Sequence, residues 1–258
     1  MNKNKNKIFC LVQARMSSTR LPNKVMLNLE GKPVIEQLFH QLSFSKLITE
    51  CVLTTSIDKS DDVLYDWAMK KGIPVYRGNL NDVLDRYYNA AKFFKAKVVV
   101  RITGDCPLID PEIVDDTIKY FLENGMDYVT NDLPPTFPDG LDTEVFTFKT
   151  LEKAFKNAKL SSEREHVTPY ILNNKNVFKT GNFKNNIDLN FHRWTLDNKE
   201  DYLLISSIYE KLFTENNYIK MNDVLDYLLN NPDLIKLNTH IKRNEGFEKS
   251  LKNDKKIK

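Results

Sequence analysis

Ile8-Phe9-Cys10-Leu11-Val12-Gln13-Ala14-Arg15-Met16-Ser17-Ser18-Thr19-Arg20-Leu21-Pro22-Asn23-Lys24 is the stretch on which the fold turns. Ile8 to Val12 form an apolar run of strand length and pass without a break into a polar loop with three cations, Arg15, Arg20 and Lys24, and three hydroxyls. A buried strand that feeds a polar loop is how a parallel sheet presents its carboxyl edge, where ligands of open α/β sheets bind. The following residues keep the same rhythm. Apolar, β-branched runs at Cys51–Ser56, Pro74–Tyr76 and Val98–Ile102 alternate with stripes at helical spacing: Val34/Leu38/Leu42, Val63/Leu64/Trp67/Ala68, Leu84/Tyr87/Ala91/Phe94 and Val114/Ile118/Phe121/Leu122. The order βαβαβαβα predicts an α/β fold with a mostly parallel sheet flanked by helices. The aromatic members of those stripes are expected in the core, not on a cofactor.

Helix starts are marked at Pro33, at Ser60-Asp61-Asp62 and at Asp110-Pro111-Glu112, the last with an N-cap, an N1 proline and a first-turn acid. After Tyr128-Val129-Thr130 the regularity lapses in a Pro-, Asp- and Gly-rich stretch, Asp132 to Gly140, that reads as a surface excursion. Strands are expected again at Glu144–Phe148 and Val177–Thr180. Helices follow near 200–214 and 222–230, the second stopped by Asn231-Pro232, with a weak one beyond.

The chain has 258 residues, 41% of them hydrophobic, enough for one large domain, expected over 8–248. Its net charge of +3 sits at the ends: Lys3, Lys5 and Lys7 at the start, and Lys249, Lys252, Lys255, Lys256 and Lys258 against Asp254 at the finish. The body is therefore mildly acidic, and no basic stripe is interleaved with aromatics, which argues against a nucleic-acid partner. Residues 1–7 and 249–258 read as disordered basic tails. Gln13 and Arg15 end the first apolar run far short of a signal peptide or membrane span, so a soluble cytoplasmic protein without a membrane partner is expected. Cys10, Cys51 and Cys106 lack CxxC spacing, so neither a disulfide framework nor a zinc site is suggested.

The loop after the first strand suits a triphosphate. Arg15, Arg20 and Lys24 supply fork-shaped and point charges, and Ser17, Ser18 and backbone N–H groups from Gln13 and Ala14 onward can donate to phosphate oxygens. GxxxxGK[ST] and GxGxxG are both absent, which weakens kinase-type and dehydrogenase readings. A second site segment is Arg101-Ile102-Thr103-Gly104-Asp105-Cys106-Pro107-Leu108-Ile109-Asp110, where a strand ends at a glycine that permits close backbone approach, followed by a carboxylate placed to hold Mg²⁺. Asp197, in Arg193-Trp194-Thr195-Leu196-Asp197-Asn198, is available as its partner, although taken alone it better fits the N-cap of the helix near Glu200. Ser162 and Glu165 have capping-box spacing, with His166 beside them. Arg77, Asp82, Asp85 and Arg86, and then Asp139, Asp142 and Glu144, stand as ligand contacts or as wet helix and turn faces.

These residues resemble the spore-coat polysaccharide biosynthesis cytidylyltransferases (SpsF-like), relatives of CMP-KDO and CMP-acylneuraminate synthetases. The likeness runs over about residues 8 to 205 and is carried by Val12–Lys24, Tyr76–Tyr87, Arg101–Pro111, Phe137–Phe146 and Ser161–Tyr170. Met16-Ser17-Ser18 and Cys106 depart from the wider group's pattern. The resemblance implies a nucleotide-diphospho-sugar transferase-like (GT-A-type, Rossmann-like) fold and a cytidylyltransferase that joins CMP from CTP to a nonulosonic or KDO-like acidic sugar, releasing pyrophosphate, for surface glycan synthesis. Arg15, Lys24 and Asp105 are then expected to carry catalysis. Gln13, Ala14, Arg15, Ser17, Ser18, Arg20, Lys24, Arg77, Thr103, Gly104 and Asp105 would meet the nucleotide. Asp82, Arg86, Asp139, Asp142, Glu144, Glu165 and His166 would meet the sugar, while Asp105 and Asp197 would bind Mg²⁺ in a homodimeric enzyme. The rival readings are a glycosyltransferase of the same fold, disfavoured by the absence of a DxD-type arrangement at Asp105, and a non-catalytic nucleotide-binding domain.

Overall fold

The computed structural model describes residues 7–256, so most of the first basic segment and residues 257–258 lie outside the described residues. In chain order, β1 (Ile8–Gln13) leads through the polar loop and a 3-10 turn (Lys24–Met26) to a ribbon of β2 (Asn28–Leu29) and β3 (Lys32–Pro33), then to α1 (Val34–Leu42). The alternation continues with β4 (Glu50–Ser56), α2 (Asp62–Lys71), β5 (Val75–Gly78), α3 (Val83–Phe93), β6 (Val98–Thr103) and α4 (Pro111–Glu123). After these come β7 (Tyr128–Thr130), β8 (Glu144–Thr147), α5 (Phe148–Asn157), α6 (Ser161–His166), α7 (Pro169–Asn173) and β9 (Thr180–Asn182). The chain closes with α8 (Lys199–Leu212), α9 (Met221–Leu229), α10 (Pro232–Ile235) and α11 (Glu245–Lys252).

Seven strands form one sheet in the order β5-β4-β1-β6-β8-β7-β9. β1 pairs in parallel with β4 on one side and β6 on the other, and only β8 runs against its neighbours. The strand order therefore reverses between β1 and β6, the topological switch point at which ligands of such sheets bind. The last register pair there is Gln13 with Thr103, so the phosphate-type loop and the Gly104-Asp105 turn leave the sheet side by side.

Alternation along the strands builds two cores. Ile8, Cys10, Val12, Val100 and Ile102 pack on one face with Leu38, Leu64 and Val114 from α1, α2 and α4. Phe9, Leu11 and Val99 pack on the other with Leu84 and Tyr87 of α3 and Leu151 of α5. Burial of both faces is why these strands read as continuous apolar runs. A third cluster joins α8 and α9 to Leu29, Val34, Leu108 and the fully buried Trp194. Asp110 caps α4 by accepting from Glu112 N at 2.8 Å, and its other oxygen accepts from Met221 N at 2.8 Å, which ties the start of α9 to the same point.

Two expectations need correction and one holds. The late strand lies at Thr180–Asn182, because the N–H groups of Val177 and Phe178 turn back onto the Asn174 carbonyl at the end of α7. Pro232 follows the end of α9 and opens the short α10, the weak helix expected beyond it. Residues 249–256 are not a free tail: α11 extends to Lys252, and Asp254 accepts from Ser161 Oγ (3.0 Å), Ser162 N (3.0 Å) and Ser162 Oγ (2.7 Å) at the start of α6.

Gly140 shows how tightly the Pro-rich excursion is pressed onto the segment before α8. Asp139 N donates to His192 O and Trp194 N to Asp139 O, and a Cβ on Gly140, whose φ is +107°, would lie 2.6 Å from the Trp194 carbonyl carbon. Gly140→Ala is expected to lower stability by at least ~2 kcal/mol, from backbone strain and the forced opening together. A urea midpoint equal to the parent's would show that this close approach is not kept in solution.

Candidate active site

The site is built on two adjacent strand ends. Gly104 N donates to Gln13 O at 2.7 Å, and a Cβ at Gly104 would come within 2.8 Å of the Ala14 Cβ, so only glycine lets the two turns meet. Ala14 N is bound by Thr54 O, and Met16 N donates to Asp61 Oδ1 at 2.7 Å. Asp61 is fully buried and also accepts from Ser56 N (3.1 Å) and Ser56 Oγ (2.5 Å), anchoring the loop to the end of β4. The sequence marks Asp61 only as a helix start. Its placement after a hydroxyl-ended strand is the signal that points, in retrospect, to an anchor. Arg15, Ser17 and Arg20 stand exposed on the loop, Ser18 less so.

Lys24 closes the loop onto the rest of the site. Its Nζ lies 2.6 Å from Asp105 Oδ2 and 2.7 Å from Asp197 Oδ1, and Arg20 Nη2 adds a contact to Asp197 at 2.9 Å. Burial pulls the ammonium's pKa down, but the Asp105 and Asp197 charges outweigh it and the net shift is upward. Burial likewise pushes Asp105 up, and the Lys24 ammonium overrides this and holds it at about 2. The capping alternative for Asp197 is not what is observed. Asn198 is the N-cap of α8, and Asp201 accepts from the N–H groups of Asp197 and Asn198, leaving the Asp197 carboxylate to cations.

Behind this group stands Arg193, which sequence reasoning passed over. Its buried guanidinium donates to Asp201 Oδ1 (2.9 Å), Asp139 Oδ2 (2.8 Å) and Asp197 Oδ2 (3.2 Å). Asp105 and Asp197 therefore already flank one cation at hydrogen-bond distance, an arrangement compatible with a divalent ion held by two carboxylates together with phosphate oxygens and water. Among the described residues no cluster of three or more His, Cys, Asp or Glu forms a metal cage.

The acidic excursion lies beside this group. Arg243 bonds Asp132 (2.7 Å) and, more closely, Asp142, and its Nε is 3.9 Å from Asp139. Burial raises Asp142 well above the usual carboxylate range, with help from Asp132, and it raises Asp132 to about 6 despite Arg243. Glu144, on β8, faces Arg101 of β6 across its register pair and accepts from Tyr128 Oη and Thr168 Oγ1, both at 2.6 Å. Glu165 accepts from Ser250 Oγ at 2.9 Å, and the His166 ring stands edge-on to Phe247 with centroids 4.9 Å apart. Burial lowers the pKa of His166. The capping spacing assigned to Ser162 and Glu165 belongs instead to Glu163, which accepts from Lys159 N and Leu160 N.

The Arg77–Arg86 segment is spent largely on the protein itself. Arg77 donates to Ser56 O and Asp58 O and pairs with Asp62, so its donors brace the turn after β4. Asp82 caps α3 and holds Arg164 through both its oxygens. Arg86 is 1% exposed and donates to Asn79 O at 2.6 Å, while its Nε and Nη2 have no hydrogen-bond partner among the described residues. Cys106 is buried with its Sγ 3.2 Å from Thr103 Oγ1. Among the described residues, no helix is long and apolar enough to cross a membrane.

Known proteins resemble the chain over most of its length. The chain is 39% identical over 239 residues to an uncharacterised protein of Methanocaldococcus jannaschii, covering 92% of this chain and 96% of that one. It is 32% identical over 237 residues to the spore coat polysaccharide biosynthesis protein SpsF of Bacillus subtilis, covering 88% and 96%. The solved structure of a cytidylyltransferase from Leptospira borgpetersenii serovar Hardjo-bovis superposes with a TM-score of 0.86 at 36% identity, over 92% of this chain and 100% of that one. The cytidylyltransferase family matches residues 9–240, which take in the loop, Asp105, Asp197 and the acidic excursion. The fold is that of the nucleotide-diphospho-sugar transferases, and the chain belongs to the cytidylyltransferase family.

Proposed function

We propose that this protein transfers CMP from CTP to an acidic sugar of the nonulosonic or KDO-like class, in the cytoplasm and as a homodimer, to supply surface polysaccharide synthesis. The observation that carries the reading is the convergence of Asp105 and Asp197 on Lys24 at the switch point between β1 and β6. In this reading the triphosphate lies along the Gln13–Lys24 loop and the Thr103-Gly104 turn. Ser17, Ser18 and the loop N–H groups donate to its oxygens, and Arg15, Arg20 and Lys24 offset its charge.

Arg15 makes no hydrogen bond or ion pair among the described residues, and its positive charge is felt at both Arg86 and His166. An electropositive corner of this kind supports an anionic acceptor as well as an anionic donor. A sugar hydroxyl oxygen forms a bond to the α-phosphorus while the bond to the β-phosphate bridging oxygen breaks. Pyrophosphate leaves with that electron pair, and the hydroxyl proton passes to water or to a nearby carboxylate. Lys24 and Arg20, which start on Asp197, stabilise the charge that gathers on the leaving group. Mg²⁺ held by Asp105 and Asp197 would supply further charge stabilisation at the phosphates. Asp139 and Arg193 act one step back, fixing the direction of the Asp197 carboxylate.

Purified protein with Mg²⁺ is expected to release pyrophosphate from CTP, and not from ATP, GTP or UTP, only when an acidic sugar is present. A panel of neuraminic, pseudaminic, legionaminic and KDO acceptors tests this, and release with neutral sugars alone would overturn the acceptor class. Asp105→Asn is expected to fold and to lose at least about a hundredfold in turnover, the scale on which a positioned charge acts in such sites. Near-parental turnover would remove Asp105 from the site. Asp61→Ala orphans the half-buried Met16 N–H and the buried Ser56 N–H, at a cost of about 1–3 kcal/mol. It should raise the KM for CTP more than that for the sugar, and equal increases would show that Asp61 does not set the loop.

A further inference from the structure

The end of the chain, unassigned by sequence reasoning, crosses the acceptor side of the site. After α10 the chain is pinned by Asn238, which donates to Arg193 O and to Asp201 Oδ1, both at 2.9 Å. Arg243 then enters the acidic excursion, bonded to Asp132 and Asp142 and with Nη1 3.3 Å from Phe137 O. Farther on, Phe247 meets the His166 ring and Ser250 donates to Glu165. These contacts reach residues from both halves of the expected sugar-binding set.

Asp132, Asp139 and Asp142 lie close together on a short, half-enclosed stretch, where like charges repel strongly. Arg193 balances Asp139 but is shared with Asp197 and Asp201. Arg243, 101 to 111 positions away in the chain, is the guanidinium that binds Asp132 and Asp142. We propose that Arg243 is a positioning residue for the sugar acceptor, and that the segment from Arg243 to Ser250 is a wall of the acceptor pocket. The proposal rests on the reading of the 139–144 stretch and His166 as the acceptor side. Among the described residues Arg243 touches neither Lys24 nor Asp105 and reaches Asp197 only at second hand, through Asp139 and Arg193, so its main influence falls on the acceptor side. A simple staple for stability would weaken both.

Steady-state kinetics on the full chain, with whichever acidic sugar of the panel is turned over, separates the two roles. Arg243→Ala is expected to raise the acceptor KM by about tenfold or more while the KM for CTP stays within about twofold. Arg243→Lys, which keeps the charge and loses the fork, is expected to recover part of that loss. Equal changes in both KM values, or none, would overturn the proposal. Hydrogen exchange gives a second arm that needs no acceptor: in Arg243→Ala, residues 132–142 should exchange faster while residues 8–24 do not, with partial recovery in Arg243→Lys. Unchanged exchange over 132–142 would overturn it. Should the parent protein release no pyrophosphate with any pair, the proposed acceptor class fails, and the exchange arm still decides whether Arg243 holds this stretch.

Discussion

One ammonium holds the active region together. Lys24 Nζ bridges carboxylates 81 and 173 positions away, joining the loop after β1, the turn after β6 and the segment that enters α8. The three side chains are 12%, 22% and 17% exposed, so solvent screens the pairing weakly and loss of the cation would leave two carboxylates facing one another. A backbone bond from Leu196 N to Asp105 O at 2.7 Å reinforces the same junction. Arg193, buried behind it, distributes its donors over Asp139, Asp197 and Asp201. The acidic excursion and the entry to α8 are thus joined through one arginine, and Asp197 is held by three cations, Lys24, Arg20 and Arg193.

Sheet topology places that junction where a ligand can use it. Because β1 lies between β4 and β6, its loop is flanked by the end of β4, which holds Asp61 through Ser56, and by the Gly104 turn. The reversed strand β8 brings Glu144 opposite Arg101 of β6, so the carboxylate finds a buried partner as soon as the strands pair. Tyr128 and Thr168 both donate to its other oxygen, so the carboxylate is held from two sides. The result is a cationic side built on parallel strand ends and an acidic side built on the antiparallel pair next to it.

Much of this was legible in the amino-acid order, for physical reasons. Strands buried on both faces announce themselves as unbroken runs such as Ile8–Val12, and a cation-rich loop at the end of such a run marks the ligand edge. Gly104 and Asp105 could be singled out because a glycine and a carboxylate just past a buried strand have few structural uses. What stayed hidden were partners fixed by tertiary approach. Arg193 and Asp201 look like helix-entry charges, Asp61 like a cap, and Arg243 like part of a solvated basic stretch. Arg77 and Asp82 show the same limit from the other direction: charge in a turn suggests a ligand, and the amino-acid order does not reveal that Ser56, Asp58, Asp62 and Arg164 also engage these groups. Chain periodicity reports which face is buried and carries no record of which distant charge will meet it.

The long separations in the Lys24 junction also bear on biosynthesis. Gln41 hydrogen-bonds the backbone of Ile219, 178 positions on, and Tyr202 Oη donates to Asn28 O across 174. While the ribosome is still making residues past 123, the β1–β6 portion can pair its parallel strands, but the ribbon β2–β3 and the outer face of α1 lack the helices that cover them. The nascent chain therefore emerges with its cation-rich loop formed early and its second carboxylate still unmade. Closure of those spans, each entropically slow relative to local pairing, gates the appearance of a competent site, so premature chains stalled before α8 would be inert and would expose Leu29 and Val34 as a sticky apolar surface.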